Sequence, residues 1–376
     1  MLDLLLRGGH VMDPVNQLDG VMDVGFTDGK VSAIGPDLDE PSRSTHDVFG
    51  RIVAPGFIDM HTHVYWGATS ISIRGEDVAR RGGVATLVDA GSAGPGNFPG
   101  MREYVIDRMP RRVLAYLNVA YPGIFAYSAP VMVGECTDMR LLDPVECVRT
   151  VNENRDAIVG IKVRIGRVAS GSNGVMPLDM ALEVGEETGL PVMVHIDHPP
   201  PSRREVLMRM RPGDIITHCF RPFPNSVIRS SGEIWDDVLL ARERGVVFDL
   251  GHGGSSFGYA VARTMLEHGF LPDVISTDVH VLNVDGPVYD LMTTLSKFHA
   301  LGVGLPDLIR SVTSHPARAI GNLQLGELKV GGVADATVFE IEKGRFRLAD
   351  CFGEVLETPT RLTARGVVSR GKWLES

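Results

Sequence analysis

Eight times between residues 56 and 280 a short apolar run gives way to an amphipathic or polar stretch, and this alternation restricts the fold more than any other feature of the chain. The runs are GFIDMHTH (56–63), ATLVDAG (85–91), RVLAYLNVA (112–120), VGIKVRIG (159–166), PVMVHID (191–197), DIITHCF (214–220), VVFDLGHG (246–253) and DVISTDVH (273–280). Strands this apolar must be covered on both faces, as in a parallel sheet with crossover helices. Helical stretches such as EDVARRGG, PLDMALEVGEETG and IWDDVLLARERG lie between them, and SVTSHPARAIGN (311–322) closes the series. Eight strand–helix units predict a closed (β/α)8 TIM barrel over residues 55–322.

The flanks read differently. Residues 1–54 and 323–376 carry short strands broken by Gly, Pro and Asp, with a hairpin signal at Asp28 to Lys30. The expectation is one small β-sandwich domain formed from the N- and C-terminal segments, beside the barrel. A length of 376 residues suits one barrel and one companion, and 44% hydrophobic against 22% charged residues supplies a core without staples. The net charge of −10, with no run of Lys or Arg, argues against a nucleic-acid partner. No stretch reaches the roughly 18 to 20 apolar residues of a membrane helix, and the leucines at the start are too few for a signal segment. Cys136, Cys147, Cys219 and Cys351 lack C-x-x-C spacing, which reads as reduced thiols and a cytoplasmic location.

The chemistry sits at the ends of the runs. His61 and His63 stand at i and i+2 on the first, so both face one side, which is the grip a metal ion needs. His195, His218 and Asp278 close the fifth, sixth and eighth runs. A polar group at the end of a strand buried on both faces requires a partner, and metal coordination supplies one. Lys162 lies inside the fourth run. An ammonium beside metal cations would be repelled and costly to desolvate; carboxylation of the amine by CO2 converts it into a bridging anion, the alternative being a lysine that snorkels to the rim.

The ordered set V-A-P-G-F-I-D-x-H-x-H, then Lys162, His195, His218 and Asp278, resembles the binuclear metal branch of the amidohydrolase superfamily, to which dihydroorotase, hydantoinase and phosphotriesterase belong. The likeness spans nearly the whole chain, including SHPARAIG and GGVADATVFE. It implies a metal-dependent hydrolase in which His61, His63 and Asp278 hold one divalent ion, His195 and His218 the other, and N6-carboxylated Lys162 and a hydroxide bridge both. Zinc comes first among the metals, with Mn, Fe and Co open to the same ligands. The bridging hydroxide is then the nucleophile, and Asp278 is the catalytic residue that carries its proton to the leaving group.

The substrate reading rests on departures. Tyr65 stands where dihydroorotases carry an Arg, and Val163, Arg164 and Ile165 stand where hydantoinases place a Tyr. GIKVRIG, HCF and DLGHGGSSFG resemble instead a dihydroorotase-like or deacetylase subgroup. The expected substrate is a small carboxylate-bearing acyl compound, such as an N-acyl amino acid or an O-acetyl α-hydroxy acid. Arg164, on the same strand side as Lys162, is the candidate for its carboxylate; a salt bridge to a neighbouring strand is the alternative. Tyr121 and His252 are candidate oxyanion donors, Cys219 a core thiol, and the loop 221–232 a lid. A cyclic amide hydrolase and a non-catalytic scaffold are the rival functions. Barrels of this type often associate, so a homo-oligomer is compatible.

Overall fold

The computed structural model describes residues 1–222 and 224–375. Its central sheet has seven parallel strands in sequence order: Phe57–Thr62, Val84–Ala90, Arg112–Asn118, Ile158–Ile165, Val192–Ile196, Ile215–Ile216 and Val247–Phe248. Their side chains are almost all buried, as the unbroken apolar runs require. The eighth run does not form a regular strand. It touches the seventh through an isolated parallel bridge at Asp249 and Val274, and the first through another at Thr62 and Val279. These two bridges close the ring. The ladder is interrupted because the Thr277 amide donates to the carboxylate of Asp59 at 3.0 Å instead of to a strand carbonyl, and Asp278 adopts φ +48°.

Helices Gly75–Gly82, Met176–Thr188 and Asp236–Glu243 fall where the sequence places them. Gly83 and Gly189 end two of them in the left-handed conformation. The last barrel segment splits into Leu305–Val312 and Ser314–Ala319. A broad apolar cluster, including Leu87, Leu117, Ile161, Val194, Phe248 and Phe298, lies between strands and helices.

Strands from both chain ends do pair: Ile52–Pro55 runs antiparallel to Ala336–Ala349 and parallel to Leu4–Asp13. The expected hairpin is present, with Thr27 opposite Lys30 across Asp28 and Gly29. Where a sandwich was expected, however, the terminal strands form one continuous eight-stranded mixed sheet. The physical reason is that Ile52–Pro55 hydrogen-bonds on both of its edges and so fuses the two halves. Leu6, Val24, Phe26, Val53, Val338 and Val368 make the sheet's own core.

Candidate active site

Six of the residues singled out above converge at the C-terminal ends of the barrel strands. Asp278 Oδ1 lies 3.3 Å from His61 Nε2 and 3.1 Å from His63 Nε2, and these three residues form a group that could hold a metal ion. Lys162 Nζ is 3.4 Å from His61 Nε2. On the other side His195 Nδ1 and His218 Nε2 face each other at 2.7 Å, with Asp278 Oδ2 4.0 Å from His218 Nε2.

Outer partners set the ring tautomers. His218 Nδ1 is 2.6 Å from the Gly251 carbonyl, which only accepts, so the proton is on Nδ1 and the lone pair is on Nε2. His61 Nδ1 meets Thr217 Oγ1 at 3.0 Å and Asp249 Oδ2 at 3.3 Å, and His63 Nδ1 meets Ser92 Oγ at 2.9 Å. Each of these rings turns Nε2 inward. Burial pushes His61 and His195 well below the ordinary histidine range and His218 down to about 3, so the rings are neutral, as metal ligands must be. Burial likewise lowers the Lys162 ammonium to about 8, which favours the free amine, the form whose lone pair could add to CO2. The donor set therefore fits a pair of divalent cations: inward lone pairs, one anion and a desolvated amine.

The backbone is bent to make this possible. His218 and Asp278 both have positive φ, +66° and +48°, a costly conformation for residues with a Cβ. Gly251, at φ +45°, must be glycine as well because a Cβ there would lie 2.1 Å from Thr217 Oγ1. Three buried carboxylates inside or just past the barrel strands brace the cluster. Asp249 accepts from Thr217 and Ser276. Asp89 accepts from the amides of Val64 and Ser92. Asp59 holds Thr277, and burial raises its carboxyl to about 7. Each is an acid inside or ending an apolar run, a signal present in the sequence that marks no metal ligand.

At the cluster lies a small cavity of about 20 Å3, lined by Ile71, Tyr127, Arg164 and His280 together with His61, His63, Lys162, His195 and Asp278. Arg164 thus lines the same cavity as the histidine cluster. Its Nε stands 3.7 Å from Glu135 Oε1, and its guanidinium packs 5.0 Å from the Tyr127 ring. That Nε and both Glu135 oxygens are buried without a hydrogen-bond partner. Tyr127 and Glu135 escaped the sequence reading because they stand in connections, where neither period nor apolar context marks a side chain's direction; His280 ends the eighth run, two residues past Asp278, and carried the same signal as the ligands.

Three expectations are corrected. Tyr121 is half-exposed and is not among the residues lining the cavity; its ring lies over Gly96, where a Cβ would meet it at 2.3 Å. His252 is buried behind the site, its Nε2 2.7 Å from Lys297 Nζ and its ring stacked on Phe257. The loop 221–232, of which residue 223 lies outside the described residues, contributes no described residue to the cavity lining. Its Asn225 donates to the Asp197 carbonyl and its Ile228 pairs with Ile234. Tyr127, on the small hairpin of Ala126–Tyr127 and Met132–Val133, lines the cavity instead.

A barrel of parallel strands whose ends gather four histidines, a lysine and an aspartate defines a metal-dependent hydrolase. The sequence pattern of the Amidohydrolase family matches residues 52–373, and the chain belongs to that family. A Brucella anthropi protein named deacetylase is 38% identical over 87% of this chain and 81% of its own length. Among solved structures, one described as an adenine deaminase superposes with a TM-score of 0.93 at 30% identity, covering 100% of both chains. One described as a dihydroorotase gives 0.89 at 34% identity over 99% of this chain and 98% of its own. Among the described residues no helix is long and apolar enough to cross a membrane.

Proposed function

We propose that this enzyme hydrolyses an acyl amide or ester bond in a small carboxylate-bearing substrate, such as an N-acyl amino acid or an O-acetyl α-hydroxy acid. The observation that carries the reading is the placement of Arg164, a cation with an unfilled donor, in the same cavity as the histidine cluster. The name of the Brucella relative agrees with removal of an acetyl group. His61, His63 and Asp278 would hold one metal, His195 and His218 a second, and carboxylated Lys162 both. Metals bound there, zinc in the first instance, would supply an activated water at neutral pH and polarise the scissile carbonyl. Asp278 takes the proton of the attacking water and passes it to the leaving atom. Arg164 pairs with the substrate carboxylate, and Tyr127 shuts out bulk water. The catalytic unit is residues 55–322, and the terminal segments 1–54 and 323–376 form its companion.

The names of the two structural neighbours raise ring opening and deamination as rivals. Tyr65, where the dihydroorotase resemblance calls for an arginine, is turned out of the cavity and donates to the Asn97 carbonyl, so no cation stands at that position. The test is metal content together with activity on matched N-acetyl and O-acetyl carboxylic acids, dihydroorotate and adenine. Each is assayed before and after chelation and reloading with zinc and bicarbonate. Two metals per chain with restored acetyl hydrolysis support the reading; turnover confined to dihydroorotate or adenine refutes it.

A further inference from the structure

We propose that His280 is a further catalytic residue, a neutral imidazole that donates its Nε2–H to the leaving-group atom of the substrate; this rests on the hydrolytic reading above. The argument is one of polarity. The Leu282 amide donates to His280 Nδ1 at 3.2 Å. A ring nitrogen that accepts from an amide carries its lone pair there, so the ring proton sits on Nε2. His218 shows the opposite arrangement: its Nδ1 faces a carbonyl, which leaves Nε2 free for a metal. A protonated Nε2 has no lone pair to give, so His280 is not a further ligand but a donor.

The ring is held in that orientation. The His280 amide donates to Asn283 Oδ1 at 2.9 Å, and Asn283 Nδ2 donates to the Asp278 carbonyl at 2.8 Å. The ring lines the cavity while only 4% exposed, edge-on to Tyr127 at 5.4 Å and 6.3 Å from the His63 ring. Among the described residues Nε2 has no acceptor within the protein, so its donor awaits the substrate. His280 stands on the Asp278 and His63 side of the cavity, whereas His195 and His218 meet edge to face at 4.6 Å on the far side. The leaving atom receives its proton from Asp278, so it must lie on this near side.

The step balances without net proton transfer through His280. The bond from the carbonyl carbon to the leaving atom breaks, and its electron pair goes to that atom. The proton that Asp278 took from water then neutralises it. The Nε2–H stabilises the growing negative charge and stays on the ring throughout.

The test compares metal-loaded wild type, His280→Ala and His280→Gln on an O-acetyl α-hydroxy acid, whose alkoxide is a poor leaving group, and on p-nitrophenyl acetate, whose phenolate leaves easily. His280→Ala is expected to keep its metals and lose about 100-fold in kcat on the first ester, with a much smaller loss on the second and little change in KM. His280→Gln, which retains an N–H donor, recovers part of the loss. The 15N spectrum of histidine-labelled wild type is expected to show His280 protonated at Nε2. A proton at Nδ1, loss of a metal from His280→Ala, or equal losses on both esters each overturns the proposal while leaving the hydrolytic reading intact. Absence of hydrolysis by the metal-loaded wild type overturns both.

Discussion

The floor and the wall of the cavity are built on opposite principles. On the floor His61, His63 and His218 each have an outer partner at Nδ1, and the carboxylates beneath are in turn bonded to hydroxyls and amides. On the wall the Arg164 Nε, and beside it both oxygens of the fully buried Glu135, lack a hydrogen-bond partner. A buried unsatisfied polar group costs about 1–3 kcal/mol, part of which the opposite charges of Arg164 and Glu135 offset at 3.7 Å, and a carboxylate ligand meeting Arg164 would offset more. The floor is organised for a fixed occupant and the wall for one that comes and goes.

The difference can be broken first at the floor. Lys162→Ala removes the anion that would hold both metals; metal content should fall below two per chain and hydrolysis by about 1000-fold or more, read by elemental analysis and kcat/KM. Retention of both metals would sink the carbamate reading. On the wall, Arg164→Met should lower kcat/KM for carboxylate-bearing esters by about 100-fold while sparing a neutral methyl-ester analogue and leaving metal content unchanged. Unchanged kcat/KM on acidic substrates would return Arg164 to a purely structural ion pair with Glu135.

A smaller effect belongs to the brace under the floor. Asp249→Asn keeps the shape but weakens the hold on His61 and Thr217, so metal affinity should drop by about 10- to 100-fold, measured by competition with a chelating dye.

The smallest concerns the layer behind, where Lys297 is fully buried against His252 and the Pro287 carbonyl. Burial lowers its ammonium from 10.5 to about 8. Between those values the unfolded chain binds the proton that the folded chain has released, so this lysine makes stability rise as pH increases from about 8 toward 10.5. Unfolding midpoints in urea across that window, compared with Lys297→Met, should show the rise in wild type and its absence in the variant. Parallel curves would place the lysine's titration elsewhere.

Much of the floor was legible in the chain alone, because it follows from strand periodicity. An apolar run has an inside and an outside at every second residue, so His61 with His63, and Lys162 with Arg164, had to share a side. Eight such runs separated by helices led to a ring of parallel strands, and polar residues at their ends had to need partners. The bracing acids Asp59, Asp89 and Asp249 were visible by the same logic. What only the tertiary structure decided lies past the strand ends. Asp278 turns through φ +48° and Gly251 through +45°, and beyond such turns alternation no longer says which way a side chain points. That is why His252 swings back to Lys297, Tyr121 falls outside the cavity lining, and Tyr127 and His280 come to the cavity wall. Local sequence carries the period of a strand; the course of a loop is set by hydrogen bonds to residues far along the chain.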